Sequence, residues 1–257
     1  MRWKDSLLRK RAVGSAAAIL FVCSIMPACT GQTVSAEKAF ALSASALSGR
    51  DRYAFAGEVS IIDPSGAVAD NSRYEGEVTG HGNLDLQWTG GQLLRARGAT
   101  VRPTSFHPMQ LLKAIQSGNA SAAYDGPPAA DGTVRLRLTV GPETARRQIA
   151  EGLRAQMAEL KADADARGLR PEQRKRADQV LSRANRHLEA ALYTLQVRTV
   201  VLWTADRKTW FPRRMTERTE LAYTWDGNPY REERVSATDF LSAGRNGTMQ
   251  KNAYLNP

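Results

Sequence analysis

The stretch VRTVVLWTADRKTWFPRRMTERTELAYTWDGNPYREERVSATDF, residues 197–240, carries the pattern of a long antiparallel hairpin preceded by a further strand. Val197, Thr199, Val201 and Trp203 alternate with Arg198, Val200, Leu202 and Thr204, a period of two with apolar residues on both faces near its middle. Ala205-Asp206-Arg207-Lys208 turns the chain. Beyond Phe211-Pro212 a longer strand places Met215, Glu217, Thr219, Leu221, Tyr223 and Trp225 on one side. Asp226-Gly227-Asn228-Pro229 is a hairpin signal, because Asp-Gly tolerates the positive φ that a tight turn between twisted strands needs. Tyr230 to Val235 returns, and Ala237-Thr238-Asp239-Phe240 completes the unit.

The same period recurs upstream. Tyr53, Phe55, Gly57, Val59 and Ile61 alternate with smaller or polar residues. Asp63-Pro64-Ser65-Gly66 turns, Arg73 to Thr79 alternates again, and Leu84, Leu86 and Trp88 follow the turn Gly80-His81-Gly82-Asn83. Gln92 to Val101 is one further candidate strand. These read as successive antiparallel strands joined by short turns. Val134, Leu136, Leu138 and Val140 against Thr133, Arg135, Arg137 and Thr139 give the cleanest alternation in the chain. Before that strand, Ala123 to Gly132 is rich in Ala, Gly and Pro and reads as a loop.

Three segments switch to helical spacing. Ser35 to Ser48 carries Ala39, Leu42 and Ala46, with Phe40 and Leu47 beside them. Pro108 to Gln116 opens after His107 with Pro at the first helical position. Residues 143–195 form a helical hairpin: Ile149, Leu153, Met157 and Leu160 make one stripe, and Leu181, Ala184, Leu188, Ala191 and Leu195 another. Gly168 and Pro171 punctuate its connection. Each narrow stripe is expected to bury against the other arm, with one edge against the sheet. The fold class is therefore α+β, a curled antiparallel sheet covered by helices, with an inserted antiparallel helical hairpin.

The N-terminus gives an address. Arg2, Lys4, Arg9, Lys10 and Arg11 precede an apolar run from Ala16 to Met26, and Pro27-Ala28-Cys29 follows. That is a signal peptide over residues 1–28. The plainer reading is an ordinary cleaved signal with an incidental Cys29, cut near Ser35-Ala36; Cys29 after a small residue instead resembles a bacterial lipobox, whose thiol receives a diacylglyceryl group. Residues 29–34 then form a lipidated tether, residues 35–240 the folded domain, and 241–257 a polar tail. The expected location is outside the cell membrane, held to its outer face as a lipoprotein. The second cysteine, Cys23, lies in the apolar run, so a disulfide framework is excluded. The formal charge is +10, of which residues 1–28 supply +4. The remainder is moderate and suits anionic surfaces, while nucleic acid is not expected outside the membrane.

The block 197–240, with its strand, charged turn, aromatic-Pro, long hairpin and final Thr-x-Phe, resembles the closing strands of the LolA/LppX-like superfamily. YAFAGEVSI, RYEGEVTGHGNL and HPMQLLKAI stand in the order that family follows. The resemblance covers most of 35–240, with 143–195 as an insertion. It implies an incomplete barrel with helices over its open side and an apolar concave face that in several members accepts acyl chains. Other members use the scaffold to bind proteins. The chain departs from the family's soluble shuttles in its expected lipid anchor at Cys29 and in its long helical hairpin.

No metalloprotease, nucleophile-elbow, phosphate-loop or dinucleotide signature occurs, and no cofactor or metal is expected. His81, His107 and His187 read as surface or capping residues. Glu232 and Glu233 alternate to opposite faces. Phe55, Trp88, Trp203, Tyr223 and Trp225 are the candidate lining of the concave face, against the plainer reading that they pack as core. Residues 143–195 hold eleven basic and eight acidic side chains, a largely balanced surface that could also meet a protein partner. The expectation is a non-enzymatic lipoprotein that binds a lipid or other apolar ligand. The alternative is a protein-interaction or regulatory lipoprotein that uses the hairpin as its contact surface.

Overall fold

The structure is a computed structural model that describes residues 34–80, 83–90 and 107–241. The signal segment, Cys29, the candidate strand 92–101, His81 and the tail from residue 242 lie outside the described residues.

Eight strands form one antiparallel sheet: β1 (Arg52–Ile62), β2 (Val68–Thr79), β3 (Asn83–Gly90), β4 (Ala120–Tyr124), β5 (Thr133–Val140), β6 (Gln196–Asp206), β7 (Pro212–Trp225) and β8 (Asn228–Leu241). Their order is β3-β2-β1-β8-β7-β6-β5-β4, and the sheet is not closed into a barrel. The chain thus lays down β1 to β3 in one direction and crosses to the far edge. It then returns strand by strand until β8 pairs with β1. The meander expected from the alternation is present. The loop expected from Ala123 is corrected at its start, because Ala120–Tyr124 is the edge strand β4, paired with β5 from Val140 to Leu136. Its small residues carry almost no strand propensity, and pairing with a neighbour rather than local preference makes it a strand.

Four helices are described: α1 (Ala36–Ser48), α2 (Pro108–Gln116), α3 (Pro142–Ala166) and α4 (Pro171–Thr194). The Ser35 side chain caps α1 by accepting from the Lys38 N–H at 3.3 Å. His107 caps α2 in the same way, its Nδ1 accepting from the Met109 N–H at 3.3 Å. Pro stands in the first turn of α2, α3 and α4, where the missing N–H costs nothing. Gly168, at φ +59, stops α3.

All four helices lie on one face of the sheet, called here the inner face. Its core joins Phe40, Ala44 and Leu47 of α1 and Leu111 of α2 to Leu136, Leu138, Val201, Trp203 and Met215 of the sheet. Ile149 of α3 and Leu192 of α4 belong to the same cluster. The outer face is a lattice of ion pairs such as Arg137–Asp125 and Arg218–Glu233, each at 2.8 Å.

Helices α3 and α4 connect β5 to β6, which are hydrogen-bonded neighbours. The helical hairpin therefore stands where a short turn would suffice. The stripes do not bury mainly in each other, as the spacing suggested. At the root, Ala145, Ile149, Ala191 and Leu192 are buried against the sheet. Farther out Leu153, Met157 and Leu188 are only half-buried and face a space over the sheet.

Candidate functional site: a cavity under the helical hairpin

The pairing register shows which side chains share the inner face. Trp88, Tyr74, Gly57, Thr238, Met215, Trp203 and Leu136 form one row across seven strands. By the same registers Phe55, Tyr223 and Trp225 point to that face too. All five aromatic residues singled out from the sequence are thus on one face, but the structure brings them to three different environments.

Trp203 is fully buried under α1. Its ring meets Phe40 edge-on at 5.2 Å between centroids, and its indole N–H donates to Ser43 Oγ at 2.8 Å. It is core. Phe55 and Trp88 belong to a second cluster with Val59 and Tyr74, joined to the first through Phe240 and Tyr53. Rings follow one another from Phe40 through Trp203, Phe240, Tyr53, Phe55 and Tyr74 to Trp88 at centroid spacings of 5.2–6.4 Å. Glycines make room for this row. A Cβ on Gly57 would overlap the Ala237 carbonyl oxygen, and one on Gly76 would overlap the Phe55 ring. The Tyr74 hydroxyl crosses over Gly57 to reach Thr238 Oγ1 at 2.6 Å and the Ala237 carbonyl at 3.1 Å. Burial pushes its pKa up to about 12. Among the described residues this end of the inner face is a continuous packed row of rings, with Tyr53 and Trp88 half-buried.

The middle of the face is polar. Ser72, Ser236, Glu217, Thr199 and Thr219 are all buried. Thr199 and Thr219 share a hydroxyl contact at 3.0 Å, and Thr219 donates to Glu217 at 3.1 Å. Ser72 Oγ and Ser236 Oγ have no hydrogen-bond partner among the described residues.

The far end is hollow. Strands β7 and β8 run 14 residues each, whereas β6 reaches only as far as Ala222 on β7 and β1 only as far as Glu233 on β8. Beyond those points β7 and β8 project as a two-stranded ribbon. A ribbon of this kind is marginal alone in water. Helix α4 supports it: Thr194 Oγ1 accepts from the Thr224 N–H at 2.8 Å. Nearer the tip, His187 Nδ1 lies 2.6 Å from Asp226 Oδ1, and the His187 ring packs on Trp225 at 5.6 Å. Asp226 and Gly227 both take positive φ, 49° and 81°, the geometry of the tight hairpin turn that Asp-Gly announces.

Between α3, α4 and this ribbon lies a cavity of about 800 Å³. Leu153, Met157, Leu188 and Leu192 from the helices and Leu221 from β7 give it apolar walls. Tyr223, Tyr230 and Trp225 line the ribbon side, and Tyr223 and Tyr230 pack at 5.2 Å between centroids. Leu160 at 45% exposure and Trp225 at 44% mark the open mouth. The floor carries Glu232 and Arg234, whose guanidinium donates twice to Glu232 Oε1, at 2.6 and 2.8 Å. The Tyr223 hydroxyl reaches toward Glu232 Oε2 at 3.5 Å. Burial first, and the Glu232 charge second, hold the Tyr223 phenol far above its ordinary pKa. Glu233, one residue on, pairs with Arg218 on the outer face. The alternation of the two glutamates is as the sequence indicated, and Glu232 is the one that faces the cavity.

Of the five aromatic candidates, only Tyr223 and Trp225 line this space. The wall from the helical hairpin was missed by sequence reasoning. Its signal was present in Leu153, Met157 and Leu188, which continue the apolar stripes past the root where burial ends. Among the described residues no group of three or more His, Cys, Asp or Glu could hold a metal ion, and no helix is long and apolar enough to cross a membrane.

No family model and no curated protein matches this chain. Among solved structures, it is similar to a LolA superfamily protein from Nitrosomonas europaea at 10% identity, covering 82% of this chain and 93% of that one, with a TM-score of 0.23. It is also similar to an acyl-CoA thioesterase II from Mycobacterium marinum at 10% identity, covering 82% and 91%, with a TM-score of 0.15. Neither superposition is close enough to assign a fold family.

Proposed function

We propose that this chain is an exported, membrane-anchored lipoprotein that binds a lipid or other apolar ligand without catalysing a reaction, on a half-barrel scaffold of the LolA/LppX-like kind. The observation that carries the reading is the cavity of about 800 Å³ beneath the helical hairpin. Its size falls in the range of small-molecule sites, and apolar walls with a few convergent polar groups are the usual make-up of such sites. A cavity lined by leucine and methionine at this depth gains free energy when an apolar chain displaces its water, at about 25 cal/mol per Å² of apolar surface covered.

The anchor rests on the lipobox-like Cys29. A diacylglyceryl group holds the protein at one membrane, since each buried methylene contributes about 0.8 kcal/mol. Ligand handling is then local to that membrane. A Cys29→Ser variant is expected in the soluble fraction, and its retention on membranes would refute the anchor.

The binding reading is tested by solvent extraction and mass spectrometry of the purified protein. A stoichiometric co-purified lipid is expected. Protein that emerges clean, and whose thermal stability no added lipid raises, contradicts the reading and leaves the helical hairpin as a contact surface for another protein.

A further inference from the structure

From the chemistry of the cavity lining we infer that its ligand is an amphiphile with a cationic, nitrogen-centred headgroup, not a fatty acid or an anionic lipid. This rests on the apolar-ligand reading above and specifies the class of ligand. The charge at the site runs against that of the chain. The sequence holds 36 basic against 26 acidic residues. The described lining of the cavity holds three carboxylates, Glu159, Asp163 and Glu232, against one guanidinium, Arg234.

That guanidinium is already engaged. Both its Nε and one terminal nitrogen donate to Glu232 Oε1, at 2.8 and 2.6 Å. An anionic head entering the cavity would have to displace Glu232 from Arg234 and would meet Glu159 and Asp163 at the mouth. A cation meets the opposite conditions. Glu159 and Asp163 lie along α3 four residues apart and attract it to the entrance. Within the cavity the rings of Tyr223, Tyr230 and Trp225 offer electron-rich faces, and such faces attract an ammonium or quaternary nitrogen. The tail has the leucine-lined wall of the hairpin to lie against.

The test uses three ligands that each carry a single twelve-carbon chain, all below their micellar concentrations: dodecyltrimethylammonium, dodecyl maltoside and dodecanoate. Binding to the purified protein is followed by titration calorimetry at low salt. Because the chain as a whole is basic, non-specific attraction would favour dodecanoate. The expected result is that dodecyltrimethylammonium binds roughly tenfold or more tightly than dodecanoate, with the uncharged ligand between them. That preference shrinks at high salt, because exposed charges are screened within about 3 Å at 1 M. Dodecanoate binding as tightly as the ammonium, or more tightly, overturns the headgroup inference and leaves the apolar-ligand reading standing. No binding of any of the three overturns both. In Glu159→Lys/Asp163→Lys, changed at exposed helical positions, the preference is expected to disappear or invert. An unchanged preference in that variant also overturns the inference.

Discussion

At the scale of single residues, the aromatic end of the inner face depends on what is absent at Gly57. The Tyr74 hydroxyl occupies the place of a side chain there, and the backbone of β8 lies directly behind it. Gly57→Ala is expected to lower stability by about 3 kcal/mol, the upper end for one inserted methyl, because a backbone carbonyl cannot move aside as a side chain can. Gly152 is the control. It lies within α3 with open space where a Cβ would stand, so Gly152→Ala should raise stability by about 1 kcal/mol. Urea denaturation of both variants checks the pair. Asp206 supplies a pH dependence. Its carboxylate accepts from the Thr209 and Lys208 N–H groups and from Arg213, and these bonds lower its pKa to about 2. A carboxyl group depressed in the folded state adds stability above the unfolded value near 4, and that contribution is lost as pH falls toward 2. Wild type should therefore exceed Asp206→Asn in urea midpoint at about pH 6, and the two should converge at about pH 2. A constant difference would contradict the assignment.

At the scale of elements, the helical hairpin and the β7–β8 ribbon depend on each other. The ribbon's free end extends past its neighbouring strands, and α4 holds it through Thr194, His187 and the Trp225 ring. Removing the outermost contact in His187→Ala should speed amide exchange across 223–230 while leaving the melting temperature of the sheet nearly unchanged, since local opening and global unfolding are separate equilibria. Uniform exchange in variant and wild type would show that the ribbon needs no such support. The sequence made these elements largely legible. Pro142, Gly168 and Pro171 mark the helical hairpin's ends, and Asp226-Gly227 marks the turn, because each imposes a local backbone constraint. Two features were not legible, for one physical reason. Strand β4 and the His187–Asp226 contact exist through partners distant in the chain, and neither Ala120–Tyr124 nor an isolated histidine carries a local pattern that names its partner.

At the scale of the whole molecule, one sheet face is divided along its length. Aromatic rings line one end, hydroxyls and Glu217 cross the middle, and the far end is roofed by helices over a cavity. The sequence placed Phe55, Trp88, Trp203, Tyr223 and Trp225 on a common face because strand alternation is local. It could not divide them into core and cavity wall. That division depends on where α1 and the helical hairpin land, and on β7 and β8 outrunning β1 and β6. The central claim is that the far end takes up an apolar chain. Its most direct test is fluorescence titration with the uncharged probe N-phenyl-1-naphthylamine, comparing the protein with Ala184→Phe, which places a ring in the cavity wall. The account predicts saturable binding by the wild type and a loss of about tenfold or more in affinity for Ala184→Phe at unchanged melting temperature. No saturable binding, or equal binding by the two proteins, would contradict it.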